Sequence, residues 1–180
     1  MANPRLLAIS GALRAGSTNT ALLREAVRLF GHCTCDLADL RLPLYDADDQ
    51  DKSGIPVAVQ TLADQIAGAD AVLISTPEYN KGPSGVLKNA LDWVSRTEGN
   101  PWADKPVAVM SAAAGRAGGE RSQMVLRTSM VPFRACVLPG PEVHLANSRN
   151  QFDADGRLTS EIYLRTLGDL MQALHREIGR

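Results

Sequence analysis

The sequence has few cysteines, no surplus of basic side chains and no long apolar run, and each shortage excludes a class of protein. Three cysteines among 180 residues are an odd number that does not suit a disulfide scaffold and indicates a reduced, intracellular chain. Nineteen basic and twenty acidic side chains give a net charge of -1, which argues against sequence-independent binding of nucleic acid. No segment has the roughly 18 apolar residues that a membrane helix needs, and the first apolar stretch is too short for a signal peptide. We therefore expect a cytoplasmic protein with neither nucleic-acid nor membrane partners.

Several motifs are also missing. Without a G-x-G-x-x-G the chain has no sign of a separate dinucleotide-binding unit, and without a G-x-S-x-G a serine hydrolase is not expected. Cys33 and Cys35 form a C-x-C with no further ligands nearby, so we interpret them as small strand residues and predict no metal site. Surface or capping roles suit the three histidines, His32, His144 and His175. We find no pair of residues for proton transfer and predict no catalytic side chain.

The sequence does contain a regular alternation of short apolar runs and longer amphipathic stretches. Strands are predicted at 5–10, 33–40, 71–76, 106–112 and 134–138. Helices are predicted at 18–31, 57–69, 84–96, 120–130 and 160–178. Five strand–helix units in a row imply an α/β protein whose parallel sheet has helices on both faces. The length favours one domain over 1–180, a flavodoxin-like three-layer sandwich with five strands in the order 2-1-3-4-5.

Finer features of these elements can also be predicted. Thr18 or Asn19 is expected to cap the first helix, and residues 42–56 are expected to form a polar loop. In the last helix, Ile162 is placed on the buried apolar stripe. Trp93 lies off the apolar stripe of its own helix, which makes it a candidate for a subunit interface.

The stretch SGALRAGSTNTALL at 10–23 follows the first predicted strand and has the character of a phosphate loop. Gly11 and Gly16 have the spacing of the motif G-x-x-x-x-G-K-[ST], but Ser17 stands where that motif requires lysine. The backbone N–H groups at a helix start attract anions, and Arg14 adds one positive charge. Neutral donors are available from Ser10, Ser17, Thr18, Asn19 and Thr20. We interpret the loop as a monophosphate site; the alternative is an ordinary helix-capping loop.

Two further loops follow the third and fourth predicted strands. The first, TPEYNKGPSG at 76–85, is stiffened by two prolines, and Glu78, Tyr79 and Asn80 lie between them. An aromatic side chain with backbone amides suits a flat heteroaromatic ring, and loop residues of this kind often serve binding. The second, SAAAGRAGGERSQ at 111–123, has three glycines in five residues, which allow a tight backbone wall against a ligand. The alternative for each is a simple connecting turn. Because parallel strands end at one sheet edge, the three loops together suit flavin mononucleotide (FMN), with its phosphate in the first loop and its ring between the others.

Three segments of the sequence, SGALRAGSTN, TPEYNKGPSGVLKNALDWVSR and SAAAGRAGGERSQ, resemble those of the NADPH-dependent FMN reductase family. The chain is most similar to the chromate/quinone reductase branch, which also has a segment like LPLYDAD at 42–48. The resemblance implies a flavodoxin-like fold, tightly bound FMN, and a homodimer or homotetramer with each flavin near a subunit interface. By this resemblance the FMN-binding residues are Ala12, Leu13, Arg14, Ser17, Asn19, Thr20, Pro77, Glu78, Tyr79, Asn80, Ser111 and Gly115.

The chain departs from the family pattern at several positions. The family usually has serine at the position of Ala12, and hydroxyl residues are common where Ala112 and Ala113 stand. Lys81 changes the charge at the mouth of the site, which bears on substrate preference and not on flavin binding.

The activity implied is an NAD(P)H-dependent reductase. A nicotinamide passes hydride to FMN and leaves, and an acceptor then takes its place; quinones, chromate, azo dyes and free flavin all suit such a site. Arg116 is a hypothetical partner for the 2′-phosphate of NADPH, the alternative being a solvated charge, and the choice between NADH and NADPH stays open. The rival interpretation is a non-enzymatic flavodoxin-type electron carrier, although such carriers are usually strongly acidic and this chain is not.

Overall fold

The computed structural model describes residues 3–179, and within them a parallel sheet is covered by helices. Its strands are Arg5–Ser10 (β1), Thr34–Leu37 (β2), Ala71–Thr76 (β3), Pro106–Ala112 (β4), Cys136–Val137 (β5) and Val143–Leu145 (β6). Its α-helices are Thr18–Phe30 (α1), Ala47–Ser53 (α2), Val57–Gly68 (α3), Gly85–Val94 (α4), Glu120–Met130 (α5) and Glu161–Ile178 (α6). None of these helices is long and apolar enough to cross a membrane.

The strand order is β2-β1-β3-β4-β5, with β6 also pairing with β4, and every pairing is parallel. This confirms the predicted fold class and strand order. The ends of three neighbouring strands are offset by only one residue at each step, because Ser10 pairs with Ser75 and Thr76 pairs with Ser111. The loops that follow β1, β3 and β4 therefore leave the sheet side by side.

Side chains along the central strands alternate between two hydrophobic cores, as the two-residue period of a strand requires. In β1, Leu6 and Ala8 face a core that includes residues of α1 and α6. Leu7 and Ile9 face the opposite core, which includes residues of α3, α4 and α5. Burial on both faces explains why these strands read as unbroken apolar runs.

The fifth strand is shorter than predicted and is followed by a sixth. Only Cys136–Val137 of the predicted segment 134–138 pairs as a strand, beside the beginning of β4. The chain then passes through Pro139 and Pro141, which have no N–H to donate to a ladder, before β6 pairs with the end of β4. The segment after β6 is thereby brought to the same sheet edge as the three loops.

The structure corrects three finer predictions. The expected loop 42–56 contains helix α2, which begins after Asp46; none of its residues is buried, so no apolar period marks it. The cap of α1 is Ser17, whose hydroxyl accepts hydrogen bonds from two backbone N–H groups, and not Thr18 or Asn19. Ile162 is 73% exposed in the first turn of α6 and lies outside the buried stripe.

Trp93 is buried within the chain, although the sequence made it a candidate for an interface. It is 2% exposed, and its indole N–H donates to Pro43 O at 2.8 Å. Its ring meets the ring of Tyr45 edge-on, and Asn89 bonds the backbone of both Pro43 and Tyr45. The segment at 42–48 therefore binds to α4 and covers the tryptophan.

Candidate functional site

A cleft of about 390 Å³ opens where the loops after β1, β3 and β4 converge. Its lining residues are Ala12, Leu13, Arg14, Ser17, Thr18, Asn19, Pro77, Glu78, Tyr79, Ala112, Ala113, Ala114, Ser148 and Arg149. A larger cavity of about 490 Å³ lies elsewhere, between α4 and the end of α5, and contains none of the predicted site residues. The cleft at the sheet edge is the candidate site because it joins all three predicted loops.

The first loop offers unused backbone donors to the cleft. The Ser17 hydroxyl caps α1 by accepting from the N–H groups of Asn19 and Thr20 at 3.2 and 3.4 Å. The N–H groups of residues 13–16 donate to no protein atom in the described part of the chain. Arg14 is exposed beside them. Free N–H groups in a loop that leads into a helix start, together with a guanidinium, are donors that suit a phosphate ester.

Asn19 connects the first loop to the sheet and to the third loop. Its side-chain N–H donates to Ala112 O at 2.9 Å, and its amide oxygen accepts from Ala112 N at 3.0 Å. The same oxygen accepts from the Ser75 hydroxyl at 2.8 Å, and Asn19 is only 3% exposed. Both ends of the amide are thus bonded to the protein, so we assign Asn19 a role in holding the loops together.

The first and second loops are in direct contact through Gly11. Its N–H donates to Ser75 O at 2.8 Å, and its carbonyl accepts from the Ser84 hydroxyl. A Cβ at this position would lie 2.9 Å from Pro77 Cδ, closer than real Cβ contacts allow. Glycine at 11 is therefore required by the packing of one loop on the other.

The second loop is bound to the start of α5. Ser122 donates its hydroxyl to Pro77 O at 2.8 Å and its N–H to the Glu78 carboxylate at 3.4 Å. The guanidinium of Arg121 lies 3.9 Å from the same carboxylate. Tyr79, 60% exposed, stands at the mouth of the cleft. This loop supplies a fixed rim with one exposed aromatic ring.

The third loop is held from beneath by Ser111, which is fully buried. The Ser111 hydroxyl donates to Gly118 O at 2.6 Å and accepts from the Gln123 side chain at 2.8 Å. Above it, Ala112, Ala113 and Ala114 line the cleft. Three small side chains in succession leave this wall flat, which suits a planar ligand.

A fourth segment, which the sequence did not reveal, completes the cleft. Ser148 follows β6 and is 3% exposed; its hydroxyl accepts from Thr18 at 3.0 Å, and its N–H donates to Ala113 O at 3.1 Å. Arg149 lies next to it on the cleft. The predicted long loop before the last helix gave no signal for these residues, because the short strand β6 that delivers them was not foreseen.

The structure brings together eight of the twelve residues predicted for FMN: Ala12, Leu13, Arg14, Ser17, Asn19, Pro77, Glu78 and Tyr79. The other four do not line the cleft. Thr20 and Ser111 are buried behind it, where the Thr20 hydroxyl shares a hydrogen bond with Ser10 at 2.8 Å. Asn80 and Gly115 are exposed on the outer parts of the second and third loops. Their roles in FMN binding stay predictions.

The cysteines are expected to differ sharply in reactivity. Burial, followed by the nearby charges of Cys33 and Asp36, raises the pKa of the Cys35 thiol to about 11, and burial also raises the pKa of Cys33. At pH 8 the protonated form of Cys35 is therefore about a thousand times more abundant than the thiolate. Because the thiolate is the form that reacts, Cys35 is expected to react slowly. We expect a thiol reagent to modify exposed Cys136 quickly and the other two slowly. Mass spectrometry of the parent and of Cys136→Ser checks this; rapid labelling of Cys136→Ser would contradict it.

Comparison with known proteins agrees with this geometry. The family model for NADPH-dependent FMN reductases matches residues 4–150. The chain is 42% identical over 178 residues to an NAD(P)H-dependent FMN reductase of Pseudomonas aeruginosa, covering 98% of this chain and 96% of that protein. It is 39% identical over 154 residues to a quinone reductase of Escherichia coli K12, covering 83% and 81%.

A solved structure gives the same result. FerB, a flavoenzyme NAD(P)H:(acceptor) oxidoreductase from Paracoccus denitrificans, superposes with a TM-score of 0.88 at 31% identity, covering 98% of this chain and 97% of that one. The fold, the cleft and the relatives agree with the family predicted from the sequence. The chain belongs to the NADPH-dependent FMN reductase family.

Proposed function

We propose that the chain binds FMN in the cleft and reduces quinones with NAD(P)H. The FMN cofactor and the NAD(P)H-dependent reductase activity predicted from the sequence are confirmed as those of its family. Quinone is the acceptor that we select, because relatives at 39% and 35% identity are named quinone reductase and 2-hydroxy-1,4-benzoquinone reductase. The observation that carries the site assignment is the run of unused N–H donors at residues 13–16, of which Leu13 and Arg14 line the cleft.

Each loop of the cleft has a different role in binding the cofactor and the substrates. Residues 13–16 would hold the phosphate through their backbone N–H groups and the Arg14 side chain, and Pro77 with Glu78 would form one border of the ring. Ala112–Ala114 form the opposite flat wall. Tyr79 at the mouth stacks on entering planar ligands. The chemistry that FMN supplies when bound is reversible hydride transfer.

The overall reaction balances as NAD(P)H plus a quinone plus one proton giving NAD(P)⁺ and a hydroquinone. The proton reaches the acceptor from water at the open mouth, because the described residues lining the cleft include no acid–base pair free for that task. Glu78, the acidic residue of the lining, is bound to Ser122 and lies beside Arg121. Nicotinamide and quinone use the same mouth in turn, so we propose a ping-pong sequence.

Anaerobic mixing of the yellow holoenzyme with NADPH or NADH tests the proposal. We expect rapid loss of flavin absorbance, its return on addition of a benzoquinone, and parallel double-reciprocal lines in steady-state kinetics. A flavodoxin-type carrier would keep its colour in the presence of NAD(P)H. Intersecting lines would contradict the ping-pong order but not the activity.

Other predicted features stay predictions. Arg116 is exposed and makes no hydrogen bond or ion pair within residues 3–179, which leaves it available for the 2′-phosphate of NADPH. An assembly of two or four chains is proposed on the family resemblance alone. A cytoplasmic location is proposed on the odd number of cysteines.

A further inference from the structure

Two arginines from distant parts of the chain line the same cleft. Arg14 belongs to the first loop, and Arg149 follows β6. Both are exposed, and neither side chain makes a hydrogen bond or an ion pair with another described residue. The acidic side chain among the described residues of the lining, Glu78, is turned to the start of α5 by Ser122. The cleft therefore presents two uncommitted guanidinium groups and no free carboxylate.

The backbone beside Arg149 is fixed at the start of α1. Ser148 accepts from the Thr18 hydroxyl at 3.0 Å, and its own N–H donates to Ala113 O at 3.1 Å. Thr18 is the first residue of α1, directly after the capping Ser17. Arg149 therefore directly follows Ser148, the residue that contacts the N-terminus of α1, and a helix N-terminus attracts anions.

Farther along, the same segment is anchored by a buried carboxylate. Glu25 of α1, with its side chain 2% exposed, accepts from Arg157 at 3.0 Å and from Leu158 N at 3.4 Å. Burial alone would raise the pKa of Glu25, but hydrogen bonds from Arg28 and Arg157 outweigh it and hold the pKa below its ordinary value. The carboxylate is therefore charged at neutral pH, and residues 148–158 are tied to α1 at both ends.

The negative charge of a phosphate monoester is larger than the positive charge of a single arginine. Such a group carries roughly -1.5 to -2 at pH 7, and the lysine of a triphosphatase loop is absent here. Arg14 alone neutralises only part of that charge. A second guanidinium from another segment would balance it and add charge-assisted hydrogen bonds.

We propose that Arg149 is a second phosphate-binding residue for FMN, held on the same cleft as Arg14 by the Thr18–Ser148 contact. This inference rests on the proposed function, because it takes the cleft to be the FMN site. It assigns part of the cofactor affinity to a segment outside the three loops of the family pattern.

Flavin titrations of the full chain, stripped of cofactor, test the inference with two ligands that differ only in the phosphate. We expect Arg149→Gln to weaken FMN binding about 10-fold and to leave riboflavin binding unchanged. Arg14→Gln is expected to behave in the same way. Arg165→Gln, which removes an exposed arginine of α6 away from the cleft, is the control and should change neither affinity.

The outcomes separate the inference from the proposed function. The inference is wrong, and the proposed function stands, if the parent binds FMN and Arg149→Gln binds it equally well. The same holds if the parent binds FMN and Arg149→Gln loses affinity for FMN and riboflavin to the same extent. If the parent binds no FMN, both fail. Arg149→Lys keeps the charge without the planar fork, and we expect an affinity between those of the parent and Arg149→Gln.

Discussion

Replacement of Gly118 by alanine is expected to lower the melting temperature by about 8–16 °C. Gly118 has a φ of +60°, and a Cβ there would lie 2.3 Å from the carbonyl oxygen of His144 and 2.4 Å from its carbonyl carbon. Both atoms are backbone and cannot move aside without displacing β6. Overpacking and positive-φ strain together cost about 4 kcal/mol, and each kcal/mol shifts the melting temperature of a chain of this size by about 2–4 °C.

Substitutions at two other glycines distinguish the effect of the Cβ clash from the effect of the positive φ. Gly156 has a φ of +76° but open space around it, so Gly156→Ala should show only the strain, about 1 kcal/mol. Gly115, in the same loop as Gly118, also has open space, and its φ is not positive, so Gly115→Ala should stay within about 0.5 kcal/mol. Thermal unfolding followed by circular dichroism measures all three. Equal shifts for Gly118→Ala and Gly156→Ala would contradict the clash.

Replacement of Asn19 by leucine is expected to destabilise the protein by about 3 kcal/mol. The two side chains are similar in size, but leucine leaves the N–H and carbonyl of Ala112 and the hydroxyl of Ser75 without the partner they have now. These groups are buried, and an unsatisfied buried polar group costs about 1–3 kcal/mol. Urea unfolding of the parent and the variant measures the loss.

The matched control is Asn150→Leu. Asn150 is exposed, and its side chain makes one hydrogen bond, to the side chain of Asn147 at 3.1 Å. We expect a change within about 0.5 kcal/mol. If Asn19→Leu were as stable as Asn150→Leu, the crosslink between the first and third loops would contribute nothing, and our account of the loop arrangement would be wrong.

The central sheet and three sides of the cleft could be predicted from the sequence, because local patterns encode them. The buried strands 71–76 and 106–112 have the predicted bounds, since apolar runs on both sheet faces leave a continuous signal. The sequence also indicates Ser17 as a residue of the phosphate loop, because it directly follows the second glycine of the G-x-x-x-x-G spacing. Once the strand order is known, the parallel register brings the loops together.

What could not be predicted depends on contacts between distant segments or on elements without an apolar pattern. Helix α2 buries no residue, and β6 has three residues. The bond between Asn19 and Ala112 joins residues far apart in sequence, so no local pattern could indicate that a side chain expected at the phosphate also connects two loops. Arg149 reaches the cleft only because β6 returns the chain to the edge of the sheet.

The Asn19 crosslink consists of protein groups alone, and this has a consequence for cofactor association. The walls that receive the flavin are aligned during folding, so little loop entropy remains to be lost when the ligand arrives. A preorganised receptor of this kind binds with a small conformational penalty, as rigid partners do in general. Loosening the crosslink should accordingly slow capture of the flavin even where every group that touches it is intact.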